Sequence, residues 1–265
     1  MTDYMNQPLA ELKEAVIADG IIDADEARGL RQRLYADGII DREEADFLFE
    51  INDAVSGANN DPSWNALFVD ALTSHVLEDE KSPNVLDDEE TAYLIAKIDA
   101  DGTVDAVELQ LLVNICAAAK SAPDRFHDYV LAALKQAVLE DGVIDDAEVH
   151  MIRHVIYGPG GAGGERVDRK EADFIFDLND ATTGKANAPA WNDVFVEAIT
   201  SHVLEDEASP GEVDETEAAW LTERIEADQQ VDANEKALLK NIKVKASRIT
   251  EGLAKLIESS CGGEG

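Results

Sequence analysis

Apolar residues recur along this chain at intervals of three and four, and short acidic turns interrupt them. Leu9, Leu12 and Val16 set one apolar face before the first turn, and Leu30 and Leu34 do so between the first and the second. Phe47, Leu48 and Ile51 continue the pattern; Phe174, Ile175 and Leu178 repeat it in the second half. That spacing is the period of an amphipathic helix, so the chain reads as helical throughout. Pro62 and Pro189 each stand two residues before a tryptophan, Trp64 or Trp191, where proline suits the first turn of a new helix. Each Trp, with Phe68 or Phe195 four residues on, reads as a core anchor. The expected fold class is all-α.

The interruptions share a phrase: an apolar residue, Asp, two free positions, then Glu. It occurs eight times, at Ile22-Asp23 with Glu26, Ile40-Asp41 with Glu44, Leu86-Asp87 with Glu90, Val104-Asp105 with Glu108, Ile144-Asp145 with Glu148, Val167-Asp168 with Glu171, Val213-Asp214 with Glu217, and Val231-Asp232 with Glu235. The eight form two sets of four because the chain repeats itself. LKEAVIADGIID from Leu12 matches LKQAVLEDGVID from Leu134, and ALTSHVLEDE from Ala71 matches AITSHVLEDE from Ala198. A Gly-rich insertion at 158–164 accounts for the extra length of the second copy and reads as a flexible loop, without the strand-then-helix setting of a phosphate loop. Two homologous helical-bundle domains are expected, 1–122 and 123–265, joined near Pro123.

At 265 residues and 45% apolar content there is material for two cores. The net charge of −35 argues against a nucleic-acid binder, since phosphate rewards the opposite sign, and against an anionic membrane surface. No run reaches transmembrane length, and the stretch MTDYMNQPLAELKEAV has neither a basic nor an apolar signal region, so a cytoplasmic protein with no membrane insertion is expected. Cys116 and Cys261 make no disulfide framework; Cys261, in a Gly-rich tail, is expected to be exposed.

The turns invite comparison with the EF-hand calcium loop, where carboxylates at positions 1, 3, 5 and 12, a carbonyl at 7 and a further ligand at 9 surround the ion, with Gly at 6. With Gly102 at position 6, Asp99 falls at 3, Asp101 at 5, the Thr103 carbonyl at 7, Asp105 at 9 and Glu108 at 12. Lys97 at position 1 is the one misfit. The same frame places Asp19, Asp23 and Glu26, then Asp37, Asp41 and Glu44, then Asp141, Asp145 and Glu148, at positions 5, 9 and 12. In these three turns positions 1 and 3 are apolar or basic. The counterpart of the best loop has Glu226, Asp228, Asp232 and Glu235, but Gln229 where Gly should stand. Two longer turns, from Glu78 and from Glu205, are dense in carboxylate.

Helix capping explains the same phrase without a metal. An N-cap Asp with Glu three residues later is a capping-box variant, and Gly just past a helix end is the usual left-handed cap. Extra acids, Asp25 and Asp146 among them, exceed what capping needs. Two carboxylates about 4 Å apart repel by roughly 4 kcal/mol at an effective dielectric near 20, a cost that a cation would relieve. Calcium is the expected ion because every candidate ligand is a hard oxygen.

The phrase at Ala18 to Glu26 and Ala36 to Glu44, in its helical setting, resembles the TerB-like (tellurite-resistance) all-helical domains. That resemblance implies acidic turns that bind divalent metal, in proteins linked to metal or other stress. Elsewhere, His75 and His202 occupy equal positions in SHVLEDE and read as solvent-facing or helix-end residues, while His127, His150 and His154 have no evident partner set. With no nucleophile triad, Cys pair or nucleotide fingerprint, an enzyme is not expected. Lys236, Lys240, Lys243, Lys245, Arg248 and Lys255 form a basic last helix, expected to dock onto acidic turns of the same chain. Three functions follow: a cytosolic divalent-cation binder acting as buffer, sensor or metal-stress module; a non-catalytic adaptor for a protein partner with acidic turns as caps; or adaptation to a salty cytoplasm.

Overall fold

The helical spacing is realised throughout. The computed structural model describes residues 3–78, 82–158, 166–205, 209–227 and 230–262. The Gly-rich insertion past Gly158, the pairs Asp79-Glu80 and Asp206-Glu207 of the two acidic runs, and Asp228 and Gln229 lie outside them. Among the described residues there are thirteen α-helices and no strand: α1 (Leu9–Val16), α2 (Ala24–Leu34), α3 (Arg42–Val55), α4 (Pro62–Leu77), α5 (Asp88–Ile98), α6 (Ala106–Ala118), α7 (Asp124–Asp141), α8 (Asp146–Ile156), α9 (Arg169–Thr182), α10 (Pro189–Leu204), α11 (Glu215–Glu226), α12 (Ala233–Lys245) and α13 (Glu251–Cys261). Within the described residues no helix is long and apolar enough to cross a membrane. The chain divides into two compact units inside α7, one running to Ala133 and the other starting at Leu134.

In the first unit, α4 is the central helix and packs on α2, α3 and α6. Its apolar residues wrap most of the way round: Trp64, Leu67, Phe68, Ala71, Leu72, Val76 and Leu77 are all buried, as expected of a helix inside a core. Pro62 opens it as foreseen, with the Asp61 carboxylate accepting from the Ser63 N–H. Phe49 of α3 meets Phe68 and Tyr93 edge to face, centroids 5.4 and 6.0 Å apart. Such pairs add to the area they bury.

In the second unit, α10 takes the same place against α8, α9 and α12. Trp191, Phe195, Ala198 and Ile199 are buried along it. Phe176 of α9 stands edge to face with Phe195 at 5.2 Å and Trp220 at 5.5 Å. α13 closes this unit by packing on α11 and α12 through Leu253 and Ile257. The expected basic last helix is thus two helices, broken between Lys245 and Glu251.

In six of the eight acidic phrases the opening apolar residue is a core plug, while Val104 and Val231 are half-buried. Ile22, Ile40, Leu86, Ile144, Val167 and Val213 are buried, each just before a helix N-cap, where a hydrophobic staple fixes the angle at which the chain enters the helix. His75 and His202 are helix-end residues, in the last turns of α4 and α10, as one of the two expectations had it, but they are not solvent-facing. Each is half-buried, with Nδ1 2.8 Å from the Ile40 carbonyl oxygen and 3.0 Å from that of Val167. Their rings meet Tyr93 and Trp220 edge to face. They tie the central helix to a preceding turn, a role fixed by contacts that lie far apart in sequence. Cys261 is half-buried rather than exposed, because α13 folds it against the Lys236 carbonyl, 3.8 Å away.

The indole N–H groups of Trp64 and Trp191 are buried without a hydrogen-bond partner, so these side chains contribute through packing alone. Trp64→Ala should therefore cost about 3–5 kcal/mol in denaturant unfolding. Trp64→Phe, which loses no hydrogen bond, should cost less than half of that.

Candidate functional site: the acidic turns

All eight Asp–Glu pairs fold as reciprocal capping boxes. Asp23, Asp41, Asp87, Asp105, Asp145, Asp168, Asp214 and Asp232 are N-caps whose side chains accept from the third helical N–H, while the Glu at that third position accepts from the N-cap N–H. Asp23 Oδ1 accepts from the Asp25 and Glu26 N–H groups at 2.8 Å, and Glu26 Oε2 from the Asp23 N–H at 3.1 Å. Asp41 and Glu44 exchange the same bonds at 2.9 and 3.1 Å, and Asp145 and Glu148 both at 2.8 Å.

The acids upstream of these caps are occupied locally as well. Asp19, Asp37, Asp101 and Asp141 each accept from the backbone N–H two residues on, at 3.2, 3.2, 2.9 and 2.9 Å. The glycine between lies in the left-handed region at Gly20, Gly38, Gly102 and Gly142, with φ between 71° and 84°, where a side chain is penalised. Gly142 directly follows α7 as a helix cap should. Gly20, Gly38 and Gly102 stand further from the helix end, because a tighter turn intervenes: the Gly20 N–H donates to the Ile17 carbonyl and the Gly102 N–H to that of Asp99.

The 99–108 turn carries the most ties. Asp105 Oδ1 accepts from the Val107 and Glu108 N–H groups, and Oδ2 accepts from Asn52 Nδ2 at 2.9 Å and Ser56 Oγ at 2.8 Å. Both oxygens of the position-9 residue are thus taken. The Asp99 carboxylate turns away to accept from the Tyr129 hydroxyl at 2.8 Å, Thr103 donates its N–H to Asp101, and Lys97 pairs with Asp46 at 2.9 Å. In the second unit Asn179 and Thr183 donate to Asp232 Oδ2 at 2.7 and 2.8 Å. Among the described residues no group of three or more His, Cys, Asp or Glu side chains is placed to hold a metal ion. The candidate ligands are brought together here as helix caps.

One feature of that turn goes beyond capping. Glu108 is only 2% exposed, and burial first, then Asp105, Asp101 and Asp53, push its carboxyl up to about 8. Asp53, at the end of α3, was not among the sequence candidates; burial and the charges of Asp101 and Asp105 raise it too. Its spacing from the turn carries no local signal, since it arrives from another helix. Milder upward shifts, again led by burial, act on Glu26, Glu44 and Glu148.

Internal docking of the basic cluster is realised only in part. Arg248 reaches Glu212 of the turn before α11 at 3.1 Å, whereas Lys255 pairs within its own helix with Glu251 at 2.6 Å, and the exposed Lys243 and Lys245 have no ion pair among the described residues. They sit on the last turn of α12, where cations complement the helix dipole. Comparison with protein-family models, with curated proteins and with solved structures found no match.

Two outcomes follow. Because the native Glu108 carboxyl holds its proton to about pH 8 while the unfolded one releases it near 4.5, stability should fall as pH rises across that window and level off above it. At about 1.4 kcal/mol per unit the effect reaches several kcal/mol at most. Glu108→Gln, which can keep the capping bond through its amide oxygen, should flatten the profile and raise Tm at pH 8. Secondly, Asp105→Ala should destabilise more than Asp23→Ala, about 1 kcal/mol for a cap alone, because it also strands Asn52 and Ser56; chemical denaturation reads both.

Proposed function

We propose that the chain is a non-catalytic helical adaptor, two units descended from one duplicated sequence, whose acidic turns are helix caps and whose anionic surface receives a cationic protein segment. The observation that carries this reading is the engagement of all eight Asp–Glu pairs in capping boxes. The motif that sets this sequence apart is spent on starting helices. What remains is a scaffold of net charge −35, suited to steer a positively charged partner. Support for the duplication comes from matched ties in the two halves: Asn52 to Asp105 and Asn179 to Asp232, Ile22 to Asn60 and Ile144 to Asn187.

A second reading places calcium at the 99–108 turn, the divalent-metal role implied by the TerB-like resemblance. It is favoured by one observation, the like charges of Asp53, Asp101 and Asp105 around the buried Glu108. A cation there would relieve that repulsion. It would do so against the hydrogen bonds that already fill Asp105.

One measurement separates the two. In thermal unfolding of the chelator-stripped protein, the adaptor reading expects calcium to raise Tm no more than monovalent salt of equal ionic strength. Saturating calcium at a real site would add roughly 2.7 kcal/mol at a hundredfold excess over Kd, and that gain would vanish in the Asp101→Asn, Glu108→Gln double variant. The adaptor reading further expects a lysine-rich peptide to bind with an affinity that falls steeply with added salt.

A further inference from the structure

Helix α8 carries a pair that neither the caps nor the core explains. His150 and His154 are four residues apart, so they share one face, one turn above the other. Their ring centroids are 4.1 Å apart with the planes at 61°. His150 is exposed and His154 half-exposed, away from the buried Val149, Ile152, Val155 and Ile156 of the same helix. In α2, the positions equally far from the N-cap are Arg28 and Gln32, so the helix itself does not require histidine there.

The tautomer of one member is fixed. His154 Nδ1 lies 2.8 Å from the His150 carbonyl oxygen; a carbonyl only accepts, so Nδ1 carries the proton and Nε2 the lone pair. Metal-ligating imidazoles are commonly held in this way, with the second ring nitrogen donating to a backbone carbonyl. Two histidines at this spacing on one helix face form a recurrent half of a zinc site. We propose that His150 and His154 form a two-imidazole chelate for a transition-metal ion of the Zn2+, Ni2+ or Cu2+ class, with water completing the coordination.

The ligand chemistry selects the ion. Imidazole suits these metals, while calcium takes oxygen ligands. The net charge of −35 raises the concentration of any divalent cation at the surface. Among the described residues no third His, Cys, Asp or Glu joins the pair. The site is therefore open and exchangeable, unlike the closed four-ligand sites that hold small folds together. It is independent of the calcium reading, which concerns oxygen ligands in the other unit.

The test is titration of the full-length chain with Zn2+ by calorimetry, beside His150→Gln, His154→Gln and the double variant, with circular dichroism confirming that each stays folded. The wild type should bind one Zn2+ that the double variant does not. Each single variant should weaken that site by roughly tenfold or more, because the second imidazole no longer acts intramolecularly. Stoichiometric Cu2+ should give an electron paramagnetic resonance spectrum with two nitrogen ligands in the wild type and not in the double variant. No saturable Zn2+ binding, equal binding in wild type and double variant, or full affinity in either single variant would overturn the proposal.

Discussion

The reciprocal capping box is the interaction on which the rest of this structure depends. The helices are short, from the eight residues of α1 to the eighteen of α7, and isolated helices of that length are marginal in water. A chain built from many short helices has many ends, each with N–H groups that the helix cannot satisfy. Here Asp takes one such donor and Glu returns the bond, while in six of the eight turns the apolar residue just before Asp enters the core. At about 1 kcal/mol per cap, eight of them rival the whole net stability of an ordinary domain, roughly 5–15 kcal/mol.

The same constraint accounts for where the negative charge lies. Acids concentrated in turns repel one another, but the first turn of a helix presents the positive end of its dipole and free donors. Asp25, Glu43, Asp146 and Glu215 stand in such first turns beside their capping partners. The extra carboxylates are thus placed where the backbone offsets part of their repulsion. Only where burial removes water does the repulsion resurface, around Glu108. In the second unit, Asp180 lies 3.6 Å from Arg224, which also reaches Asp177 at 2.6 Å; in the first, Lys97 is drawn to Asp46 instead.

What the sequence made legible was local. Helix periods, the Pro62 start and every Asp–Glu cap could be read because each depends on residues within one turn of each other. The ligand frame at Gly102 was legible only in part for a matching reason: spacing puts Asp99, Asp101, Asp105 and Glu108 in one loop but does not say which donors arrive from elsewhere. Asn52 and Ser56 at the end of α3 and Tyr129 of α7 hydrogen-bond to Asp105 and Asp99 from outside the loop. Asp53 was invisible on the same ground, as were the carbonyl bonds of His75 and His202. The spacing of His150 and His154 lay in plain view, yet four-residue spacing alone does not say that two rings meet.

These competing claims on Asp105 also bear on how strongly the turn could hold a cation. A calcium ion using the Asp105 carboxylate must displace bonds from Val107, Glu108, Asn52 or Ser56, each worth about 0.5–1.5 kcal/mol net and more when a charged group accepts. It must also displace the Glu108 proton, held up to about pH 8, in exchange for quieting the charges of Asp53 and Asp101. The first cost is present at any pH, whereas the second falls away once Glu108 is already ionised. Near neutral pH both costs apply, so any ion the turn takes should bind more readily above pH 8, through the oxygens that Asp53, Asp101 and Glu108 have to spare.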